Sequence, residues 1–192
     1  FGPALLLLLS IGFLAYRIID PFPPTAVTLS TGQENSSYEQ LAKRYAAVLA
    51  RQGIQVTLKR SEGSFENLQR LQDPDSGVDI AFVQSGSTDL ANAERAELVS
   101  LGSLFVEPVW LFYRSGIKLD HLRDLHGLTI NVGPPGTGVP KLFDKLLAAN
   151  GVAAKRVKLT GMENTPATVA LLAGKIDGMV FSSSAEGLLI QM

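Results

Sequence analysis

Cysteine is absent from the 192 residues, and histidine occurs only twice. Without thiols the chain can form no disulfide, no thiolate zinc or iron–sulfur centre and no cysteine nucleophile; exported proteins can also lack cysteine, so the compartment stays open. An excess of charge is missing too: 17 Lys plus Arg stand against 18 Asp plus Glu, a formal net charge of −1. That balance argues against nucleic acid as a partner, because phosphate backbones are bound by clustered cations. The short basic pairs Lys59-Arg60 and Lys155-Arg156 read as solvated rims. His121 and His126 stand five residues apart, off one helical face and with no cysteine, so no metal site is expected. No G-x-S-x-G motif is present, which disfavours a Ser-His-Asp hydrolase.

Hydrophobic residues are plentiful, at 46%, and they gather at one end. From Phe1 to Ile19 the run FGPALLLLLSIGFLAYRII holds a single charge, Arg17. As a helix it would rise roughly 28 Å, enough to cross a bilayer, and a run apolar on every side at a chain end makes a poor core helix. Residues 1–19 are therefore expected to be a transmembrane anchor or a signal segment. Leu14-Ala15-Tyr16 is a poor cleavage match, which favours an uncleaved anchor. Since Phe1 is not a Met, further residues are expected upstream, so flanking charge cannot set the orientation. Residues 20–25, with Pro21, Pro23 and Pro24, read as a stiff spacer.

Beyond the spacer the chain repeats one plan. Val27 to Ser30 reads as a strand, followed by the Gly32 loop and a helix with apolar residues at Tyr38, Leu41, Ala42, Tyr45, Val48 and Leu49. Ser36 and Glu39 fit a capping box, and Gly53 stops the helix before a strand from Ile54 to Leu58. A short helix from about Phe65 to Gln72, a turn over Asp73 to Gly77 and a strand from Val78 to Val83 follow. Farther on, Leu128 to Val132 is expected to be a strand, residues 133–138 a glycine loop, and Val139 to Leu147 a helix ending at Asn150-Gly151. Gly133 follows Gly32 by 101 residues, while Gly151 follows Gly53 and Asp177 follows Asp79 by 98 each. Two similar α/β lobes are the simplest account, taken as residues 26–114 with the crossover strands and residues 115–192. The β-prone runs Leu98 to Val106 and Val109 to Tyr113 are expected to carry the chain between them, with Trp110 in the core. Each lobe opens strand, small-residue loop, helix, so both helix N-termini are expected to face the cleft and to favour a small anion there.

Six ordered segments give the chain a family resemblance: Ser30-Thr31-Gly32 through Ser37-Tyr38, Ser61 through Leu68, Asp79 through Ser85, Glu107-Pro108-Val109, Asn131 through Gly138, and Gly174 through Gly178. Together they resemble the TAXI family, extracytoplasmic solute-binding receptors of TRAP-type transporters with the type II periplasmic-binding-protein fold. The resemblance runs from about Val27 to Phe181. It implies an α/β, two-lobed receptor that closes on a small organic anion, an amino acid or dicarboxylate, and delivers it to a membrane permease without catalysis or cofactor. Carried over position by position, the ligand-binding residues it implies are Thr31, Gly32, Ser37, Tyr38, Ser61, Ser64, Asn67, Gln84, Gly136, Thr137 and Gly138. It also implies a periplasmic or extracytoplasmic location, here at the inner membrane through the N-terminal helix.

Plainer readings compete at several of these positions. Ser36 serves as a helix cap, Ser64 serves equally well as a cap or a ligand contact, and Gly136 and Gly138 are compatible with both the turn into the helix and close approach to a ligand. Ser61 has no such alternative. The chain departs from the family at Gln33-Glu34-Asn35, where a Gly-rich loop is usual and Glu34 is uncomfortable for a dianion, and at Val139, which replaces a hydroxyl. It is also short for a complete receptor of this fold and is expected to be a C-terminally incomplete piece. The alternatives are a membrane-anchored sensing domain of a signalling protein and a fold-related transferase; the transferase would need a titratable pair in the cleft.

Overall fold

The computed structural model describes residues 2–19, 24–85, 98–185 and 187–191. Helix α1 (Gly2–Ile19) has Arg17 in its last turn and leaves Leu5 to Leu9, Ile11, Phe13 and Leu14 exposed. Its 18 residues rise about 27 Å, against about 30 Å for a hydrocarbon core. Among the described residues, no helix is long and apolar enough to cross a membrane. Of the spacer, residues 20–23 lie outside the described residues.

The first lobe is built on three parallel strands, β1 (Ala26–Ser30), β2 (Gln55–Lys59) and β3 (Ile80–Ala81), in the order β2-β1-β3. Helix α2 (Ser37–Ala50) follows β1, and helix α3 (Ser64–Gln72) follows β2. Ser36 caps α2 as expected, its Oγ accepting the Glu39 N–H at 3.2 Å. The return half of the capping box is displaced: Glu39 Oε2 accepts from Asn35 N–H at 2.7 Å, with Asn35 in the left-handed region at φ 62°. Leu29, Tyr38, Ala42 and Phe82 form the small core, and Leu41, Val56, Ile80 and Phe105 pack on it.

Two expectations give way here. The run from Val78 to Val83 is a strand only at Ile80–Ala81. Residues 98–106 form no strand, and Val99, Leu101 and Val106 are exposed. β-propensity expresses itself only where a neighbouring strand offers hydrogen bonds, and among the described residues this run has no such neighbour.

The second lobe repeats the plan: β5 (Thr129–Asn131), α4 (Val139–Ala149), β6 (Lys158–Thr160), α5 (Asn164–Leu172) and β7 (Gly178–Ser182). Its sheet is ordered β4-β7-β5-β6, with β4 (Val109–Tyr113) antiparallel to β7. By sheet pairing, β4 belongs with the second lobe, although the sequence reading groups it with the first. A single turn of helix, α6 (Leu188–Gln191), follows. Strand β7, an inner strand between β4 and β5, is buried on both faces. Val180 packs with Ile130, Phe143 and Leu147, whereas Met179 and Phe181 pack with Ala167, Ile176, Trp110 and Phe112.

The two lobes also share a lock at the start of the sheet. Asp79 Oδ2 accepts the Thr28 N–H at 2.7 Å while its own N–H donates to Thr28 O at 3.0 Å. Asp177 does the same with Thr129, at 2.8 Å in both directions. In both lobes the chain runs from the first strand out to one neighbour, then back across to the other side. The strand order thus reverses beside β1 and beside β5, which is where a crevice opens at the carboxyl ends of the strands.

Candidate functional site

The loops leaving β1 and β5 meet at those two reversals and enclose a cavity of about 60 Å³. Of the residues singled out from the sequence, Gly32, Ser37, Tyr38, Ser64, Gln84, Thr137 and Gly138 line it. Tyr38 lies one residue inside α2, its ring against Phe82 and its hydroxyl 3.0 Å from Ser64 Oγ. Ser64 Oγ in turn accepts the Gln84 N–H at 2.8 Å, so the end of β3 is tied to the start of α3. Gln84 Nε2 reaches across the cleft to Ser182 Oγ at 2.6 Å, and Ser37 Oγ lies 2.7 Å from Ser183 Oγ.

Thr31, Ser61, Asn67 and Gly136 are not among the residues lining the cavity. Asn67 is fully buried beneath it and donates to Thr31 O at 2.7 Å and Phe82 O at 2.8 Å, while its Oδ1 accepts from Ser30 Oγ at 2.6 Å. Ser61 Oγ donates to Thr31 O at 3.1 Å, and Thr31 N–H donates to Lys59 O at 2.9 Å. These polar side chains satisfy loop backbone that would otherwise be buried without partners. Asn131 does the same in the second lobe, accepting the Met162 N–H at 2.7 Å and donating to Met162 O at 3.1 Å.

Gly136 meets the first lobe directly. Its N–H donates to Glu62 Oε2 at 2.7 Å, and its carbonyl accepts from Phe65 and Glu66 N–H at 3.0 Å each. The Phe65 and Glu66 amides in the opening turn of α3 are therefore satisfied by the opposite lobe. Gln33 bridges the lobes as well: buried at 3% exposure, it donates to Glu62 O at 3.2 Å and accepts the Asn164 N–H at 2.8 Å. Arg60, read from the sequence as a solvated rim residue, pairs with Glu163 of the second lobe at 2.6 Å. His121 and His126 flank a short 3₁₀ turn (Leu122–Leu125) away from the cavity.

Sequence reasoning missed Gln33, Glu62, Glu107 and Ser182 among the lining residues. Ser182 carried a signal, because it follows Gln84 by the same 98 residues that separate Asp79 from Asp177. Glu62 and Glu107 lay inside the motifs that carry the resemblance. Glu107 accepts from the Tyr38 hydroxyl at 2.8 Å. Burial raises its carboxyl above the ordinary 4.5, an effect the tyrosine hydrogen bond only partly offsets. The Tyr38 hydroxyl is pushed far above its ordinary value, by burial first and the adjacent carboxylate second, and stays protonated.

The arrangement offers hydroxyls, amides and carboxylates to a small solute held between two lobes. Comparison with known proteins fits that geometry. The model of the NMT1-like family matches residues 30–188. No curated protein matches the chain by sequence. Among solved structures, the periplasmic aliphatic sulphonate-binding protein SsuA of Escherichia coli superposes with a TM-score of 0.53 at 18% identity, over 83% of this chain and 51% of that one. The alkanesulfonate-binding SsuA of Xanthomonas axonopodis pv. citri, bound to MOPS, gives 0.59 at 18% identity, over 83% and 55%. An ABC uptake transporter substrate-binding protein of Streptococcus pneumoniae, with bound histidine, gives 0.55 at 18% identity, over 82% and 66%. The fold is thus that of periplasmic solute-binding proteins, and the chain spans about half the length of the two SsuA proteins.

Proposed function

This chain belongs to the NMT1-like family, and from that premise we propose that it is the solute-binding receptor of a TRAP-type transporter, of the TAXI kind, working outside the cytoplasm. It captures a small organic solute of the carboxylate class, an amino acid or dicarboxylate, between its two lobes and hands it to a membrane permease. Binding is non-covalent, with no catalytic step. The observation that carries this reading is the cavity at the paired reversals of strand order, lined from both lobes by Ser37, Tyr38, Ser64, Gln84, Thr137 and Ser182. A solute bridging these groups stabilises one lobe against the other. Helix α1, with Leu5 to Leu9, Ile11, Phe13 and Leu14 exposed, is the part we assign to directing the chain to the membrane.

The test is thermal unfolding of the chain against a panel of amino acids and organic acids. A solute at about a hundred times its dissociation constant adds roughly 2.7 kcal/mol to stability. The expected outcome is a raised midpoint with a few structurally related solutes; a panel without any shift rejects the reading.

A further inference from the structure

What the solute must carry can be read from the cavity, on the premise that the chain is such a receptor. Among the described residues, two carboxylates line it, Glu62 and Glu107, and no lysine, arginine or histidine does. Glu62 is itself engaged from the second lobe: its Oε2 accepts the Gly136 N–H at 2.7 Å. The contact is tight, since a Cβ on Gly136 would come within 2.7 Å of Glu62 Cβ. The Phe65 and Glu66 amides of α3 are occupied by Gly136 O. The chain thus meets these anion-seeking amides with its own oxygens.

At the first-lobe side the balance is reversed. Glu107 is half-enclosed beside Tyr38, whose hydroxyl is its hydrogen-bond donor, and no basic side chain of the lining faces it. Its raised carboxyl is the mark of a buried charge without a counter-charge. A second negative group placed here would add repulsion where water screens poorly, whereas an ammonium group would supply the missing partner. The volume, about 60 Å³, holds roughly four to six water-sized groups.

We propose that Glu107 is the specificity-determining residue of the cleft and that the solute is a small amine-bearing molecule with at most one carboxylate, its ammonium group set against Glu107. Within the solute class proposed above, the two lining carboxylates select against dicarboxylates. Isothermal titration of the chain with alanine, ethanolamine, propionate and succinate tests this, because alanine and propionate differ by the amine alone. Alanine or ethanolamine is expected to bind at least tenfold more tightly than propionate and succinate. Glu107→Gln is expected to lose that preference, with circular dichroism confirming that the variant folds; if it does not fold, the alanine–propionate comparison on the unmodified chain decides. Propionate or succinate binding as tightly as the amines overturns the amine assignment while leaving the receptor reading standing. Absence of binding by all four overturns both.

Discussion

Individual side chains in this molecule act mostly by satisfying backbone. Asp177 shows the principle in measurable form. The N–H of Thr129, then the guanidinium of Arg114, holds its carboxyl below the ordinary 3.8. A carboxylate depressed in the folded state contributes stability that is fully present above the unfolded value and is lost as pH falls through the folded one. Urea midpoints followed from about pH 5 down to about pH 2 should therefore fall, and Asp177→Asn should flatten that decline by removing the titrating charge while keeping an acceptor for Thr129. An unchanged acid limb in the variant would show that other carboxylates set it. Glu107 acts in the opposite direction: its raised carboxyl takes up a proton more readily in the folded chain, so it favours stability toward lower pH.

At the level of strands and helices, close packing against backbone sets the tolerances. Gly178 opens β7 between β4 and β5, where an added Cβ would lie 2.8 Å from Phe112 O and 3.0 Å from Ile130 Cδ1. Gly178→Ala should cost roughly 1–3 kcal/mol in chemical denaturation, since the sheet must shift to admit one methyl. Elements of this kind were legible in the sequence wherever periodicity and a stop signal agreed, as in α2 between Ser36 and Gly53. Legibility failed where a run needed a partner that sequence does not display: residues 98–106 have strand composition but pair with no strand among the described residues. The cleft was legible in its loops and not in its chemistry. Ser64 and Gln84 followed from their places at an element's end, whereas Asn67, Ser61 and Thr31 turned inward because buried loop carbonyls claimed their polar atoms. Glu62 and Glu107 escaped because their importance comes from groups far away in sequence, Gly136 and Tyr38.

Across the whole molecule, each apolar cluster lies within one lobe, apart from smaller contributions from Phe105 and Ile190. What joins the lobes is polar and short in reach: Gln33 to Asn164, Glu62 to Gly136, Ser37 to Ser183, Gln84 to Ser182, and Arg60 to Glu163 at the rim. Such bonds exchange with water at little net cost, unlike buried apolar surface, so the lobes can part without unfolding either one. The ion pair contributes least, both partners being about half exposed. The bond from Gly136 to Glu62 has a kinetic meaning as well. On the receptor reading proposed above, a solute waits for that clasp and its neighbours to release, which makes capture a two-step event with an opening rate of its own. In stopped-flow mixing, the observed rate should climb with solute concentration and then level off at that opening rate, and Glu62→Gln should raise the plateau. The same carboxylate that narrows what the cleft accepts would then also keep time for when it accepts it.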